Sequence, residues 1–243
     1  MRKWFLVMGA CLVLLLSGCD QNEPEKDAFP LALGIESEGE GVYHMYMAYP
    51  DLSDADASEN ALAKDAFWDG TMENLAEGTE QMSRSSSRNV DMNHLKVLIL
   101  DGEMLDGKEN AQKLIEFFRE KRDASWNAYV FLTDIEMAEL FSEKVQTGSC
   151  MGIYLEDIVE GWDNIKSGSL VTVGDLVSQY YNATERLLIP VVTVADGAPA
   201  VAGFREVENM TAGEERSTEE VFALYDSLVL YHDTGTKKAM KID

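Results

Sequence analysis

The segment from His94 to Thr133 constrains the fold most strongly, because its pattern is strand, helix, strand. The stretch His94–Leu100 ends in a nearly continuous apolar run, and Asn127–Thr133 forms a second apolar run. Between them, Gly107–Arg122 carries apolar residues at helical spacing, which predicts one amphipathic helix. Two buried strands joined by a helix form a βαβ unit with parallel strands and a right-handed crossover. The sequence therefore predicts an α/β fold.

Other predicted elements surround this unit. We predict one hairpin between residues 29–35 and 42–49, and a second between residues 187–194 and 200–204. Pro190 indicates an edge strand or a bulge in the second hairpin. Helices are predicted at residues 57–83 (one imperfect helix or two short ones), 134–145, 151–162, 172–182 with Thr172 as N-cap, and from Ser217 with Glu220 completing a capping box. The predicted fold class is mixed α/β (α+β), a mixed β-sheet with a βαβ unit flanked by helices.

The N-terminus has the pattern of an export signal. Arg2 and Lys3 precede the apolar run of residues 4–16, and Leu16–Cys19 reads Leu-Ser-Gly-Cys. A positive start, an apolar stretch, small residues and a cysteine are typical of a secretory signal that ends in a bacterial lipobox. The run has 13 residues, whereas a membrane-spanning helix needs about 20. The pattern therefore predicts a cleaved signal rather than a transmembrane helix.

Cleavage at this site divides the chain into three parts. We predict that residues 1–18 are a signal peptide, residues 19–28 a lipidated tether, and residues 29–243 the folded region. Cys19 then becomes the N-terminus, and its thiol takes a diacylglycerol with acyl chains such as palmitate. Two acyl chains are about what stable anchoring requires. The expected location is the outer face of a bacterial membrane.

The charge balance limits the partners of the mature protein. Losing residues 1–18 removes two basic residues and no acidic ones from a chain of net charge −24, which leaves −26. Nucleic-acid phosphates and anionic lipid headgroups repel such a chain. We therefore expect no nucleic-acid partner, and we expect the lipid on Cys19 to provide the membrane attachment.

No combination of residues in the sequence predicts a reaction or a cofactor. The three histidines, His44, His94 and His232, lie far apart and lack the spacing of metal ligands. Cys150 is the one cysteine left after processing and acylation, and no histidine lies near it, so we expect a small buried residue. We predict no catalytic, cofactor-binding or metal-binding residues. An envelope enzyme is the less favoured alternative.

One segment has part of a calcium-loop pattern. Asp54, Asp56 and Ser58 occupy alternate positions, and Asp65 stands at the twelfth place counted from Asp54. Glu59 occupies the sixth place, where the sharp turn of such a loop requires glycine. We therefore predict that residues 54–59 cap the N-terminus of a helix, where acidic side chains suit the helix dipole.

Several blocks together resemble a known family. The sequence is similar to the N-terminal region of the C subunit of spore germinant receptors, the lipoprotein component of the Ger family (Ger(x)C, GerAC-like). The similarity runs in order through most of residues 29–205. The matching blocks are Leu31–Ile35, His94–Leu100, Arg122, Asn127–Phe131, Ile189-Pro190 and Ala202–Phe204.

Two features depart from the family pattern. Asp20-Gln21 follows the cysteine where the family usually has Trp-Asp, and the chain stops at Asp243 where family members continue into a C-terminal domain. We therefore expect a C-terminally shortened member. The resemblance implies a non-enzymatic lipoprotein subunit of a nutrient germinant receptor at the outer face of the spore inner membrane. It also implies polytopic A-type and B-type partners and a role in spore germination. A solute-binding lipoprotein of a transporter is the alternative, and it would require a deep ligand cleft.

Overall fold

A computed structural model of the chain describes residues 27–51, 65–106, 108–121, 124–143, 145, 149–162, 170–182 and 186–224. The strands are β1 Asp27–Ala28, β2 Ala32–Gly39, β3 Val42–Pro50, β4 Asp65–Met72, β5 Asn89–Val90, β6 Val97–Asp101, β7 Tyr129–Thr133, β8 Leu187–Ala195, β9 Ala198–Glu208 and β10 Thr211–Ser217. The helices are α1 Leu75–Ser86, α2 Lys108–Glu120, α3 Met137–Ser142, α4 Met151–Glu160 and α5 Val173–Asn182, with a short 3-10 helix at Gly102–Leu105. A sixth helix, α6, covers residues 218–224 of the described chain.

Eight strands form one mixed sheet in the order β10-β9-β8-β7-β6-β2-β3-β4. The central strands β2, β6, β7 and β8 run parallel. An antiparallel pair extends the sheet on each side, β3 and β4 on one and β9 and β10 on the other. The unit β6-α2-β7 is the predicted βαβ unit, so the predicted mixed α/β fold is confirmed.

Helices cover both faces of this sheet. Side chains from α1, α2 and α5 form a core with one face, which includes Leu98 and Phe118. Side chains from α3, α4 and α6 form a second core with the other face, which includes Ile99 and Leu155. Successive residues of a strand point to opposite faces, so a strand covered on both sides consists of continuous apolar sequence. This explains why β6 has its nearly unbroken apolar run.

Both predicted hairpins are confirmed. Strand β2 pairs with β3, and β8 pairs with β9. The β8–β9 turn consists of Asp196 and Gly197, whose φ angles of 52° and 73° match a two-residue hairpin turn. Pro190 is not on an edge strand, because β8 lies between β7 and β9. The register shifts between Val191 and Val192, so the bulge alternative is the correct one.

The helical prediction over residues 57–83, one imperfect helix or two short ones, is confirmed at residues 75–83 and wrong at residues 65–72. Residues 65–72 form β4, an edge strand that pairs with β3 along its whole length. The helix begins only at Leu75, where Asn74 accepts a hydrogen bond from the Ala76 N–H at 3.0 Å. Residues 57–64 lie outside the described residues. Pairing with β3 is a long-range interaction, and it overrides the local helical spacing.

Two predicted helix starts have the expected caps. Thr172 Oγ1 accepts from the Asp175 N–H at 3.3 Å, and Asp175 Oδ2 accepts from the Thr172 N–H at 2.9 Å. Ser217 and Glu220 form the same reciprocal pair at 3.2 and 3.1 Å. Strand β10, which ends at Ser217, was not predicted. The predicted strand from His94 begins only at Val97, and His94 lies in the preceding turn.

Candidate functional site

A crevice opens where the chain leaves β6 and β7 toward opposite faces of the sheet. After β6 the chain continues into α2 on one face, and after β7 it continues into α3 on the other. Diverging connections of this kind leave a crevice at the carboxyl ends of parallel strands. A cavity of about 550 Å³ lies at this position. We call it the switch-point crevice, and its charged lining residues are Glu36, Asp101, Glu103, Asp106, Asp134, Glu136 and Arg205.

Two backbone N–H groups hold the Asp101 carboxylate in the wall of the crevice. Its Oδ1 accepts a hydrogen bond from the Met104 N–H and its Oδ2 one from the Ser37 N–H, both at 2.9 Å. The first bond caps the 3-10 helix, and the second joins the loop after β6 to β2. Burial raises the pKa of Asp101 to about 6, because desolvation outweighs the two hydrogen bonds. Asp101 therefore fixes the wall of the crevice by hydrogen bonds, although its charged carboxylate is partly removed from water.

Arg205 closes one side of the crevice from β9. Its guanidinium donates to both carboxylate oxygens of Asp134, with Nη1–Oδ1 at 2.9 Å and Nη2–Oδ2 at 2.5 Å. Glu215 Oε2 lies 3.8 Å from the same Nη2. This bidentate geometry fixes the loop after β7 against the β9 strand. Six carboxylates and one arginine are the charged groups among the described residues that line the crevice, so its lining is predominantly negative.

A second, apolar groove lies beside His44 on the edge of the sheet. The cavity measures about 340 Å³, and Tyr46, Phe67 and Phe141 line it. His44 stacks on Tyr46 with ring centroids 4.4 Å apart, and its Nε2 lies 3.0 Å from Asp69 Oδ2. The Tyr46 hydroxyl donates to Glu36 Oε1 at 2.7 Å. His44 therefore has carboxylate and aromatic partners close to the surface.

Cys150 is buried at the start of α4, with 2% of its surface exposed, so the prediction of a small buried residue is confirmed. Burial first, and then the adjacent Asp65 carboxylate, raise the pKa of the Cys150 thiol to about 12. Asp65 Oδ2 also accepts the Met151 N–H at 2.7 Å. A thiol in this environment is protonated at neutral pH and is a poor nucleophile.

The other residues singled out in the sequence do not come together. His94 is exposed and contacts the Phe29 ring edge-on, with ring centroids 5.3 Å apart. It precedes the amino end of β6, whereas the crevice lies at the carboxyl end of that strand. Cys19, His232 and residues 54–59 lie outside the described residues. Within the described part of the chain, no group of three or more His, Cys, Asp or Glu side chains is arranged to hold a metal ion. No described helix is long and apolar enough to cross a membrane.

Sequence reasoning missed the switch-point crevice. One signal was present, because Asp101 and Asp134 each follow an apolar strand of the predicted βαβ unit. Adjacent parallel strands bring their carboxyl ends together, which places these two residues at one edge. Arg205 had no comparable signal, since its approach to Asp134 depends on how the β8–β9 hairpin lies against the sheet.

Comparisons with known proteins place this chain in a family. One similar solved structure, "Crystal Structure of the GerBC protein", matches with a TM-score of 0.39 and 14% identity, covering 77% of this chain and 52% of that chain. The chain thus spans about half the length of that protein. No curated protein matches the chain. The family model described as "Spore germination protein N-terminal domain" matches residues 20–194, well over half of the sequence, and the chain therefore belongs to this family.

Proposed function

We propose that the protein is a non-enzymatic, membrane-anchored lipoprotein subunit of a nutrient germinant receptor and takes part in spore germination. The single observation that carries the proposal is the family match over residues 20–194. The matched segment begins directly after Cys19, the residue that the lipobox pattern assigns to lipidation. In the proposed arrangement, residues 1–18 are removed, residues 19–28 tether the protein, and residues 29–243 form its body on the outer face of the spore inner membrane.

The body suits a role in assembly with membrane partners. Its charge of −26 after loss of residues 1–18 opposes binding to anionic lipid, so the acyl chains on Cys19 supply the attachment. The proposed partners are the polytopic A-type and B-type subunits of the same receptor. A folded domain held beside them presents the acidic switch-point crevice and the groove at His44 as surfaces for contact.

Germination assays in a spore-forming host that carries this gene test the proposal. Deletion of the gene and Cys19→Ala should both slow the loss of optical density after nutrient addition, while a non-nutrient trigger still works. Cys150→Ser is the matched control, because it changes the other cysteine of the mature chain and keeps the lipidation site. Nutrient germination at the normal rate in the deletion strain would overturn the proposal. Full function of the Cys19→Ala protein would overturn the role of the anchor.

The switch-point crevice also allows a test of the alternative, a solute-binding lipoprotein of a transporter. Eight of the ten described strands form one sheet, and the other two form a short pair, whereas a solute-binding protein of that kind usually closes two lobes around its ligand. A ligand that binds only the native state raises Tm by mass action. We expect no rise in Tm with amino acids or sugars at millimolar concentration. A saturable rise that Arg205→Ala abolishes would favour solute binding instead.

A further inference from the structure

We propose that the domain rests on the bilayer through the end of the sheet from which the chain leads back to Cys19, with Trp126 in the membrane–water interface. We call this surface the tether end, and it comprises residues 27–29, 89–94 and 125–127. The switch-point crevice then faces away from the membrane. The inference rests on the proposed lipid anchor at Cys19, and it adds the orientation and the contact surface.

The first argument is where the chain enters the fold. Asp27 and Ala28 form β1 and pair with Asn89 and Val90 of β5. The Asp91 N–H also donates to the Ala28 carbonyl at 2.9 Å. Hydrogen bonds therefore hold the chain at the tether end from residue 27 onward, although residues 27 and 28 belong to the tether expected from sequence.

The second argument is that the tether end and the crevice lie at opposite ends of the parallel strands. The Ser125 N–H donates to the Met92 carbonyl at 3.2 Å, which places the segment before β7 beside the segment before β6. Residues 89–94 and 125–127 thus lie at the amino ends of these strands. The crevice residues Asp101 and Asp134 lie at or just beyond the carboxyl ends.

The third argument is the reach of the linker. Asp27 is eight residues beyond Cys19, a distance of roughly 28 Å when fully extended. Helix α2 connects the crevice end to the tether end, and its 13 residues alone measure about 20 Å. A linker that had to pass the domain to bring the crevice to the bilayer would use most of this reach. Contact through the tether end requires no such span.

The fourth argument is the side-chain chemistry of the two ends. Trp126 is 44% exposed and is one of three exposed large apolar side chains in the described residues, with Phe67 and Tyr181. Indole rings favour the membrane–water interface. The other exposed residues described at the tether end are uncharged side chains and one histidine: Asn89, Asn93, His94 and Asn127. Its described carboxylates are Asp27 and Asp91, both half-buried. Six carboxylates line the crevice, and anionic headgroups repel them. Both ends therefore favour the same orientation.

Two variants of the lipidated chain, each with one added cysteine, test the orientation. Asn93→Cys places a label at the tether end, and Glu103→Cys places one at the crevice end; both positions are exposed. Buried Cys150 stays unlabelled in the native protein. The proteins are bound to phosphatidylcholine–phosphatidylglycerol vesicles that contain lipids with a nitroxide headgroup, and quenching of a bimane label is measured. We expect quenching at position 93 to exceed quenching at position 103 severalfold.

The contact of Trp126 has its own matched pair of variants. Trp126→Ala should reduce quenching at position 93 by at least twofold while the acylated protein still floats with the vesicles. Phe67→Ala removes a comparably exposed aromatic residue, 47% exposed, from the edge strand β4 and should leave quenching unchanged. An effect of Phe67→Ala in place of Trp126→Ala would overturn the proposed surface.

The outcomes separate this inference from the proposed function. Failure of the acylated protein to float would refute the anchor and the orientation together. Flotation with equal quenching at positions 93 and 103, or with stronger quenching at position 103, would refute the orientation alone. Quenching at position 93 could also occur in pure lipid and be lost in native membranes. That result would show that a membrane partner covers position 93, and it would overturn bilayer contact as the native arrangement.

Discussion

The Asp101 side chain stabilises the fold through hydrogen bonds, but its burial disfavours the charged form of its carboxyl group. Asp101 joins β2 to the loop after β6 through two backbone hydrogen bonds, yet burial raises its pKa to about 6. A carboxyl whose pKa is higher in the folded state binds its proton more tightly there than in the unfolded chain. Stability therefore falls as pH rises from about 4 to about 6, because the folded state must then carry a buried charge.

Replacement of Asp101 by Asn should remove this pH dependence. We expect the free energy of unfolding of the native sequence, minus that of Asp101→Asn, to fall by about 1.5 kcal/mol between pH 4 and pH 7. This is less than the full pKa shift corresponds to, since the carboxyl keeps some solvent contact. Urea unfolding at the two pH values measures the difference. Glu103→Gln, an exposed change in the same loop, is the control, and an equal slope in both variants would contradict the assignment to Asp101.

The thiol of Cys150 should be inert in the native protein. Its pKa of about 12 and its 2% exposure predict no reaction with a thiol reagent at pH 8, followed by full reaction in urea. The measurement uses a chain that begins at residue 19 and carries Cys19→Ser, so that Cys11 is absent and Cys150 is the thiol observed. Asn93→Cys in the same background supplies an exposed thiol that should react at once. Native labelling of Cys150 at the rate seen in urea would show that the thiol is accessible.

At the scale of elements, local interactions determine where some helices begin, and long-range pairing determines where some strands form. The caps at Thr172 and Ser217 lie within four residues of their partners, so the sequence itself reveals them. The helix predicted over 57–83 fails at 65–72 because β4 owes its conformation to β3. The spacing of apolar residues within 65–72 carries no information about pairing with β3, because β3 lies earlier in the chain and runs antiparallel to β4.

The contact of α4 with the sheet leads to a prediction about Gly152. A Cβ at this position would overlap the Leu31 carbonyl oxygen. That carbonyl cannot move freely, because it accepts hydrogen bonds from the Lys96 and Val97 N–H groups at 3.0 and 3.1 Å. In an exposed helix, replacing glycine by alanine stabilises by about 1 kcal/mol. Here we expect Gly152→Ala to destabilise the protein by about 2–3 kcal/mol.

Gly102→Ala is the matched control for this substitution. A Cβ at Gly102 would lie 3.6 Å from Arg205 Nη1, an ordinary contact, so its effect should stay within about 0.5 kcal/mol. Chemical denaturation of both variants measures the two free energies. A Gly152→Ala protein as stable as the native one would show that α4 can shift away from Leu31.

At the scale of the whole molecule, four central parallel strands connect an antiparallel pair of strands on each side of the sheet. Strands β2, β6, β7 and β8 lie between the β3–β4 pair and the β9–β10 pair, and helices cover both faces. Both core clusters include side chains of the central strands, so neither antiparallel pair has a complete core without them. We therefore expect the described domain to unfold in one cooperative transition.

One tryptophan lies at each side of the sheet and reports on the unfolding of that side. Trp68 on β4 donates to Ser85 Oγ at 3.0 Å, and Trp162 packs on Phe204 of β9 with ring centroids 5.6 Å apart. Variants that keep only one of these indoles, with phenylalanine at the other tryptophan positions, should show the same urea midpoint by fluorescence. Far-UV circular dichroism should follow the same curve. Separate midpoints would reveal two independently unfolding parts.

The sequence by itself determined the βαβ unit, both hairpins, the capped helix starts and the lipobox pattern at Cys19. Each of these depends on residues close in the chain, where periodicity, turn residues and caps act directly. Only the tertiary structure decided that residues 65–72 are an edge strand, that Pro190 lies inside the sheet, and that Arg205 meets Asp134. It also placed Trp126 and the acidic crevice at opposite ends of the parallel strands. The physical reason is that strand order, register and the direction of each crossover arise from pairing and burial between distant segments.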